Sequence, residues 1–199
     1  NLLSNTIIIY SSDHGDYAGE HGLYEKVRGL SHRAITQIPL IISAPDMKVR
    51  NTVCNEIVES VDLFPTLCDM AGIDKPNTSQ GISFAELING TETSHRQNAL
   101  CENAYRKAIA TNDWRYVANL HPFEKDELYD LNHDPYELNN LIDNPEYSAI
   151  AQELLRQLLD RIVKANKPIT VFNGNWHDHV YDDDGRLDSK RCNEITMRW

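Results

Sequence analysis

An aspartate and a histidine stand side by side in Ser11-Ser12-Asp13-His14-Gly15, where the β-branched run Thr6 to Ser12 gives way to a polar stretch. A carboxylate supplies a hard oxygen and an imidazole a nitrogen, so the pair offers two donors to a divalent cation. In open α/β sheets ligands collect at the carboxyl ends of strands, which is where this pair falls. Gly15 lets the backbone turn beside such an ion. Two donors do not complete a coordination shell, so further ligands have to come from elsewhere. On the dipeptide alone, a turn-capping Asp13 beside an ordinary surface His14 is an equally good reading. Thirteen positions after Asp13 stands Lys26, for which a solvated loop lysine is the favoured reading on the residue alone. His21 and His32 flank it; either imidazole can hydrogen-bond an anion or protonate a leaving alkoxide, and a loop histidine with no catalytic duty is at least as good a reading of each.

These side chains need rigid support. Thr6 to Ser12 (TIIIYSS) and Ile38 to Ser43 (IPLIIS) are continuous apolar runs, expected as strands buried on both faces of a parallel or mixed sheet. The Gly-containing polar segment between them, Gly15 to Ser31, is expected to be a long functional loop. Glu56 to Ala71 carries a helical pattern, with Pro65 in a first turn after Asp62 and Gly72 as its stop. Ile82 to Ile88 is a short helical turn before Asn89-Gly90, and Thr91 to Gln97 is a polar linker.

Beyond the linker, Ala99 to Thr111 and Trp114 to Leu120 have strand character and are joined at Asn112-Asp113, a hairpin signal. Glu127 to Leu131 adds a short strand. The clearest helix starts at Asn144-Pro145 with the stripe Ile150, Leu154, Leu158, Ile162, flanked by Leu155, Leu159 and Val163, and has Lys164 and Lys167 near its end. Pro168 to Trp199 has little periodicity and is expected to wrap the surface. Within it, Trp176-His177-Asp178-His179 and Tyr181-Asp182-Asp183-Asp184-Gly185 lack usable metal spacing and are taken as loops.

Residues 1–94 are thus expected to be the C-terminal part of a large α/β domain, because two buried strands cannot close a sheet covered on both faces. Residues 95–166 form a small antiparallel-sheet-plus-helix unit and 167–199 a tail. The opening Asn-Leu-Leu-Ser-Asn begins mid-pattern, as expected of a piece of something longer.

Composition narrows the partners. The 199 residues carry 19 basic and 30 acidic side chains, a net charge of −11, which opposes non-specific binding to nucleic acid or anionic lipid. No apolar run approaches the roughly 18–20 residues of a membrane span. Cys54, Cys68, Cys101 and Cys192 are scattered without zinc spacing, and free thiols are the default expectation. The sequons at Asn77 and Asn89 occur at about the frequency of chance in an Asn-rich chain and do not establish secretion.

The segment Asp13-His14-Gly15-Asp16-Tyr17-Ala18-Gly19-Glu20-His21-Gly22-Leu23-Tyr24-Glu25-Lys26 resembles the metal-binding and substrate-lysine segment of the sulfatases, within the alkaline phosphatase superfamily. The likeness continues, in order, through Ile38-Pro39-Leu40-Ile41-Ile42, Val61-Asp62-Leu63-Phe64-Pro65-Thr66-Leu67, Ala71-Gly72-Ile73 and Gly81-Ile82-Ser83-Phe84. It extends to Trp114-Arg115-Tyr116, Glu127-Leu128-Tyr129-Asp130-Leu131 and Asp134-Pro135-Tyr136-Glu137-Leu138. The resemblance implies an α/β alkaline phosphatase-like mixed sheet followed by the small subdomain. It also implies a sulfuric ester hydrolase acting on a sulfated small molecule or glycan, most readily a carbohydrate sulfate.

On the same basis Asp13 and His14 are ligands of one divalent ion, commonly Ca2+ with Mg2+ or Mn2+ as alternatives, and Lys26 binds the sulfate oxygens. Gln37 departs from the arginine many members carry two residues before Pro39, which bears on substrate class. The family's formylglycine nucleophile arises from C/S-x-P-x-R, which no Cys or Ser here heads; Ser43-Ala44-Pro45-Asp46-Met47 comes near but ends in Met. The nucleophile is therefore expected on an N-terminal portion outside this chain, which alone would be inactive. A phosphonate or phosphate ester hydrolase of the same superfamily and a non-catalytic sulfated-glycan binder are the alternatives. Family habit points to periplasm, extracellular space or lysosome without selecting among them.

Overall fold

The structure, a computed structural model, describes residues 2–27, 29–45, 47–76, 79–103, 105–165, 169–172 and 175–178. Strand β1 (Ile8–Ser11) runs antiparallel to β2 (Leu40–Ser43), with Tyr10 opposite Ile41. The apolar runs predicted strands buried on both faces. Within this chain the two alternate between exposed and half-buried positions, with Tyr10 and Ile41 each 62% exposed. Continuous hydrophobicity cannot tell a strand covered on both faces from one covered on a single face.

Helix α1 (Arg33–Thr36) precedes β2, and α2 (Leu63–Ala71) follows it. The helical pattern expected from Glu56 begins later, after a single 3-10 turn at Ser60–Asp62, because residues 56–59 serve another purpose. Ile57 bridges Arg96, and the Glu59 amide donates to Asp62 Oδ2 at 3.0 Å, which caps the turn there. Gly72 ends α2 in the left-handed region (φ 67°), and the Ile73 amide closes back on the Cys68 carbonyl at 2.9 Å. Helix α3 (Ala85–Asn89) ends the same way at Gly90.

The polar linker is not loose. Asp62, fully buried, accepts from Arg96 Nε at 2.7 Å and from a second Arg96 nitrogen, from His95 Nε2 at 3.2 Å and from the Ile82 amide at 2.8 Å. Next to it Glu59 takes two bonds from Arg161 Nη2 at 2.8 and 2.7 Å. One acidic turn thereby ties the linker, the strap before α3 and the long C-terminal helix together.

Residues 99–110, expected as one strand, fold as two. Strands β3 (Ala99–Asn103), β4 (Arg106–Ala110), β5 (Trp114–Asn119) and β6 (Glu127–Asp130) make an antiparallel sheet in sequence order. The β4–β5 hairpin falls at Asn112-Asp113 as the turn residues predicted, whereas the turn between Asn103 and Arg106 carries no Asn-Gly or Asp-Gly signal. Across one face lies α4 (Ser148–Ala165), whose Asn144 side chain caps the Glu146 amide at 3.0 Å in a preceding 3-10 turn. Ile109, Tyr116 and Leu128 of the sheet enclose Leu154 and Leu158, at 4% and 1% exposure. Leu159 and Val163 of the same pattern face outward.

Strands β7 (Ile169–Phe172) and β8 (Asn175–Asp178) pair as a hairpin in the region expected to be an irregular tail, with Trp176, His177 and Asp178 on β8. His179, Tyr181–Gly185, Lys167, Cys192 and Asn77 lie outside the described residues. Cys54, Cys68 and Cys101 carry free thiols. Among the described residues no helix is long and apolar enough to cross a membrane.

Two substitutions measure these contacts. Leu158→Ala is expected to lower stability by about 2–5 kcal/mol in urea unfolding, the usual cost of a cavity in a packed core. Asp62→Asn is expected to cost about 1–3 kcal/mol because it removes the nearer of the two carboxylates facing the buried Arg96 and leaves Glu59, at 3.2 Å, as its charge partner. Burial opposes ionisation of Asp62, but the Arg96 hydrogen bonds and the Glu59 and Ile82 amides outweigh it and hold its pKa below the usual carboxylate value. That contribution is present above about pH 4 and is lost as pH falls through the depressed value, a loss Asp62→Asn should reduce.

Candidate functional site

The site is built where β1 ends. His14 Nδ1 lies 2.7 Å from the Gly15 carbonyl, an acceptor only, so Nδ1 carries the ring proton. His14 Nε2 is left with its lone pair, 3.5 Å from Asp13 Oδ2 and 3.1 Å from Lys26 Nζ. Two acceptors facing each other at that distance call for a positive species between them, and the Lys26 ammonium meets that need on one side. The other Asp13 oxygen accepts the His14 amide at 2.9 Å, and this bond, with the His14 ring beside it, lowers the Asp13 pKa. Asp13 is therefore an ionised, exposed carboxylate.

Asp13 and His14 suit a divalent cation as two members of its ligand set. Among the described residues no third His, Cys, Asp or Glu joins them.

Gly15 is there for space. Its amide donates to the Ile35 carbonyl at 2.8 Å, and a Cβ on it would sit 1.9 Å from the Ala34 carbonyl oxygen. The close approach presses the Asp13-His14 turn against α1. The following loop folds back on itself: the Tyr17 amide meets the Glu25 carbonyl at 3.3 Å and the Gly19 amide meets Leu23 at 2.8 Å. Ala18, His21 and Glu25 take positive φ (47°, 53° and 58°) to make these turns. The loop is how thirteen residues of chain bring Lys26 back to His14.

Asp13, His14 and Lys26 share one cavity of about 950 Å3, whose walls also include Arg33, Gln37 and Arg115. His21 and His32 are not among the residues lining it. They stack on each other with ring centroids 4.1 Å apart, and Tyr17, wholly buried, places its hydroxyl 2.7 Å from His32 Nδ1. Burial, with the His21 and Arg115 charges adding to it, pulls the His32 pKa down to about 4. His32 is therefore neutral at pH 7 and braces the loop from beneath.

Arg115 and Glu137 hold the site from behind. Both are almost completely buried, with Arg115 Nε 3.4 Å from Glu137 Oε1 in an ion pair whose angles do not make a hydrogen bond. Arg115 also donates to Thr36 Oγ1 at 3.2 Å and to the Ser31 carbonyl, while Glu137 Oε2 accepts the Arg33 amide at 2.9 Å. Sequence reading meets these two only inside longer motif blocks. A signal was available in Arg115 itself, a charge set between Trp114 and Tyr116 in a strand with apolar neighbours.

The depressed His32 pKa has a sign that can be tested. The unfolded chain takes up a proton at about 6.5 and the folded chain only at about 4. Stability is therefore expected to fall as pH drops through that window. His32→Gln should flatten the urea-midpoint profile between pH 6.5 and 4.

The family described as N-sulphoglucosamine sulphohydrolase, C-terminal, matches residues 19–164. An N-acetylglucosamine-6-O-sulfatase of Bacteroides thetaiotaomicron is 31% identical over 177 residues, 83% of this chain and 31% of that protein. Arylsulfatase K of Homo sapiens is 33% identical over 178 residues, covering 80% and 32%. A solved structure of a protein in complex with its substrate D-glucosamine-2-N,6-O-disulfate superposes with a TM-score of 0.73 at 29% identity, over 83% of this chain and 36% of that one. The chain spans about a third of the length of the curated relatives it matches.

Proposed function

From the premise that this chain belongs to the sulfatases, in the family described as N-sulphoglucosamine sulphohydrolase, C-terminal, we propose that it supplies part of the active site of a sulfuric ester hydrolase acting on a sulfated carbohydrate. The observation that carries this reading is the meeting of the Asp13 carboxylate, His14 Nε2 and Lys26 Nζ at the wall of one cavity. The names of two similar proteins support the substrate class, one being an N-acetylglucosamine-6-O-sulfatase and the other having a disulfated glucosamine as its substrate.

Breaking an S–O bond builds negative charge on the sulfuryl oxygens and on the leaving alkoxide, and fixed positive charge lowers that barrier. Lys26 would hold the sulfuryl oxygens with its ammonium, which His14 already keeps near the Asp13 carboxylate. Gly15, through its carbonyl on Nδ1, would keep the His14 lone pair aimed at the same point. Asp13 and His14 would hold a divalent cation, calcium on the family resemblance, which supplies Lewis-acid stabilisation of charge on the ester oxygens. The formylglycine nucleophile and the remaining cation ligands would come from polypeptide outside these residues. In that arrangement residues 1–94 would complete the larger domain, with 95–166 as a subdomain against it. His21 and His32 would brace the loop instead of contacting substrate.

In the complete enzyme, Lys26→Ala is expected to lower kcat/KM on an aryl sulfate by at least about 100-fold. Asp13→Ala is expected to lose both turnover and bound divalent ion by elemental analysis. Full turnover by either variant would reject the assignment. Equal rates on aryl sulfate, phosphate and phosphonate esters would replace the sulfatase by a broader ester hydrolase.

A further inference from the structure

The charges around the cavity do not cancel evenly. Four carboxylates line it: Asp13, Glu59, Glu102 and Glu137. Glu59 is paired with Arg161 at 2.7 Å and Arg96 at 3.2 Å, Glu102 with Lys107 at 3.0 Å, and Glu137 with Arg115 at 3.4 Å. Only Asp13 lacks a Lys or Arg partner, and it faces His14. Three cations line the same wall, and of these Arg115 is taken by Glu137. Lys26 and Arg33 are left, and among the described residues neither side-chain charge has a carboxylate within 4 Å.

Arg33 is held ready in a particular way. Its amide is fixed by Glu137 Oε2 at 2.9 Å, and its side-chain Nε donates to Gln37 Oε1, also a lining residue. That contact orients the guanidinium plane without neutralising it, because an amide oxygen brings no net charge. The two terminal nitrogens have no partner among the described hydrogen bonds. A planar fork so presented matches the paired oxygens of a sulfate or a carboxylate. In a chain of net charge −11 an arginine at a cavity wall whose guanidinium is in no ion pair is a point where an anion can be held.

We infer that Arg33, oriented by Gln37, is a second anion-binding group of this cavity, and that its ligand carries at least two anionic groups, one at Lys26 and one at Arg33. The second group is a sulfate or a carboxylate, which present the same oxygen pair. This rests on the sulfatase reading and deepens it from a sulfated carbohydrate to a multiply anionic one.

Calorimetric titration of the 199-residue chain tests it with three probes: N-acetylglucosamine 6-sulfate, glucosamine N,6-disulfate, and a 6-sulfated N-acetylglucosamine joined to a uronic acid. At low salt the chain is expected to bind one or both doubly charged probes about tenfold more tightly than the singly charged one, as a charge-assisted hydrogen-bonded pair allows. Arg33→Gln should narrow that gap to less than about threefold, and Arg33→Lys, which keeps the charge but not the fork, should restore only part of it. Which doubly charged probe responds to Arg33→Gln tells sulfate from carboxylate. The inference is overturned if Arg33→Gln weakens all three probes alike, as a merely structural residue would, or changes none. If Lys26→Gln weakens every probe while none is preferred, the sulfatase reading stands and only the second group falls. If Lys26→Gln weakens none, both fall.

Discussion

A buried ion pair, Arg115 with Glu137, underlies the geometry of the site. It joins β5 of the four-stranded sheet to the segment that follows β6, and both side chains are almost completely buried. Removing two charges from water is expensive, and the expense is offset only if their remaining hydrogen-bonding capacity is used. Here part of that capacity is spent on the backbone and side chains around α1, the Ser31 carbonyl, the Thr36 hydroxyl and the Arg33 amide, while Arg115 Nε and Glu137 Oε1 face each other with no hydrogen bond. Once α1 is fixed, the Ile35 carbonyl fixes Gly15, and Gly15 orients His14. The imidazole is thus positioned by a relay of contacts that begins in a β-strand about a hundred residues later in the chain.

A second cluster does similar work for the architecture. Asp62 and Glu59 gather Arg96, His95 and Arg161, and so join α2, the segment before β3 and α4. Both clusters use arginine, whose planar fork can satisfy a carboxylate and a carbonyl together, where lysine offers a single ammonium. The fold keeps its two halves in register by buried polar contacts more than by one continuous apolar core. The apolar cluster under α4 is confined to the antiparallel unit.

Much of this was legible from local patterns. The α4 stripe, its Asn144-Pro145 start, the Gly72 and Gly90 stops and the β4–β5 turn follow from periodicity and turn chemistry acting over a few residues. The strand-to-loop position of Asp13-His14 and the return of Lys26 followed from motif order. What sequence reading got wrong depends on distance in the chain. The division of residues 99–110 into two strands turns on an unremarkable Asn103-to-Arg106 corner. Thr91 to Gln97 is polar, as a linker should be, yet His95 and Arg96 are polar because they answer a buried carboxylate. Sequence reading also gives no sign that His21 stacks on His32, an arrangement with Tyr17 and Tyr129 packed around it and no local signature.

The loop from Tyr17 to Glu25 has three non-glycine residues in the left-handed region, a conformation that costs of order 1 kcal/mol or more each. That penalty is settled when the chain folds, well before any anion arrives. A lysine delivered by a slack segment would have to be ordered at each encounter, and affinity would suffer by the entropy lost. Here the ammonium rests on a pre-bent spring braced by a buried tyrosine and two stacked imidazoles, so an anion bound there, on the proposed function, would meet a rigid socket.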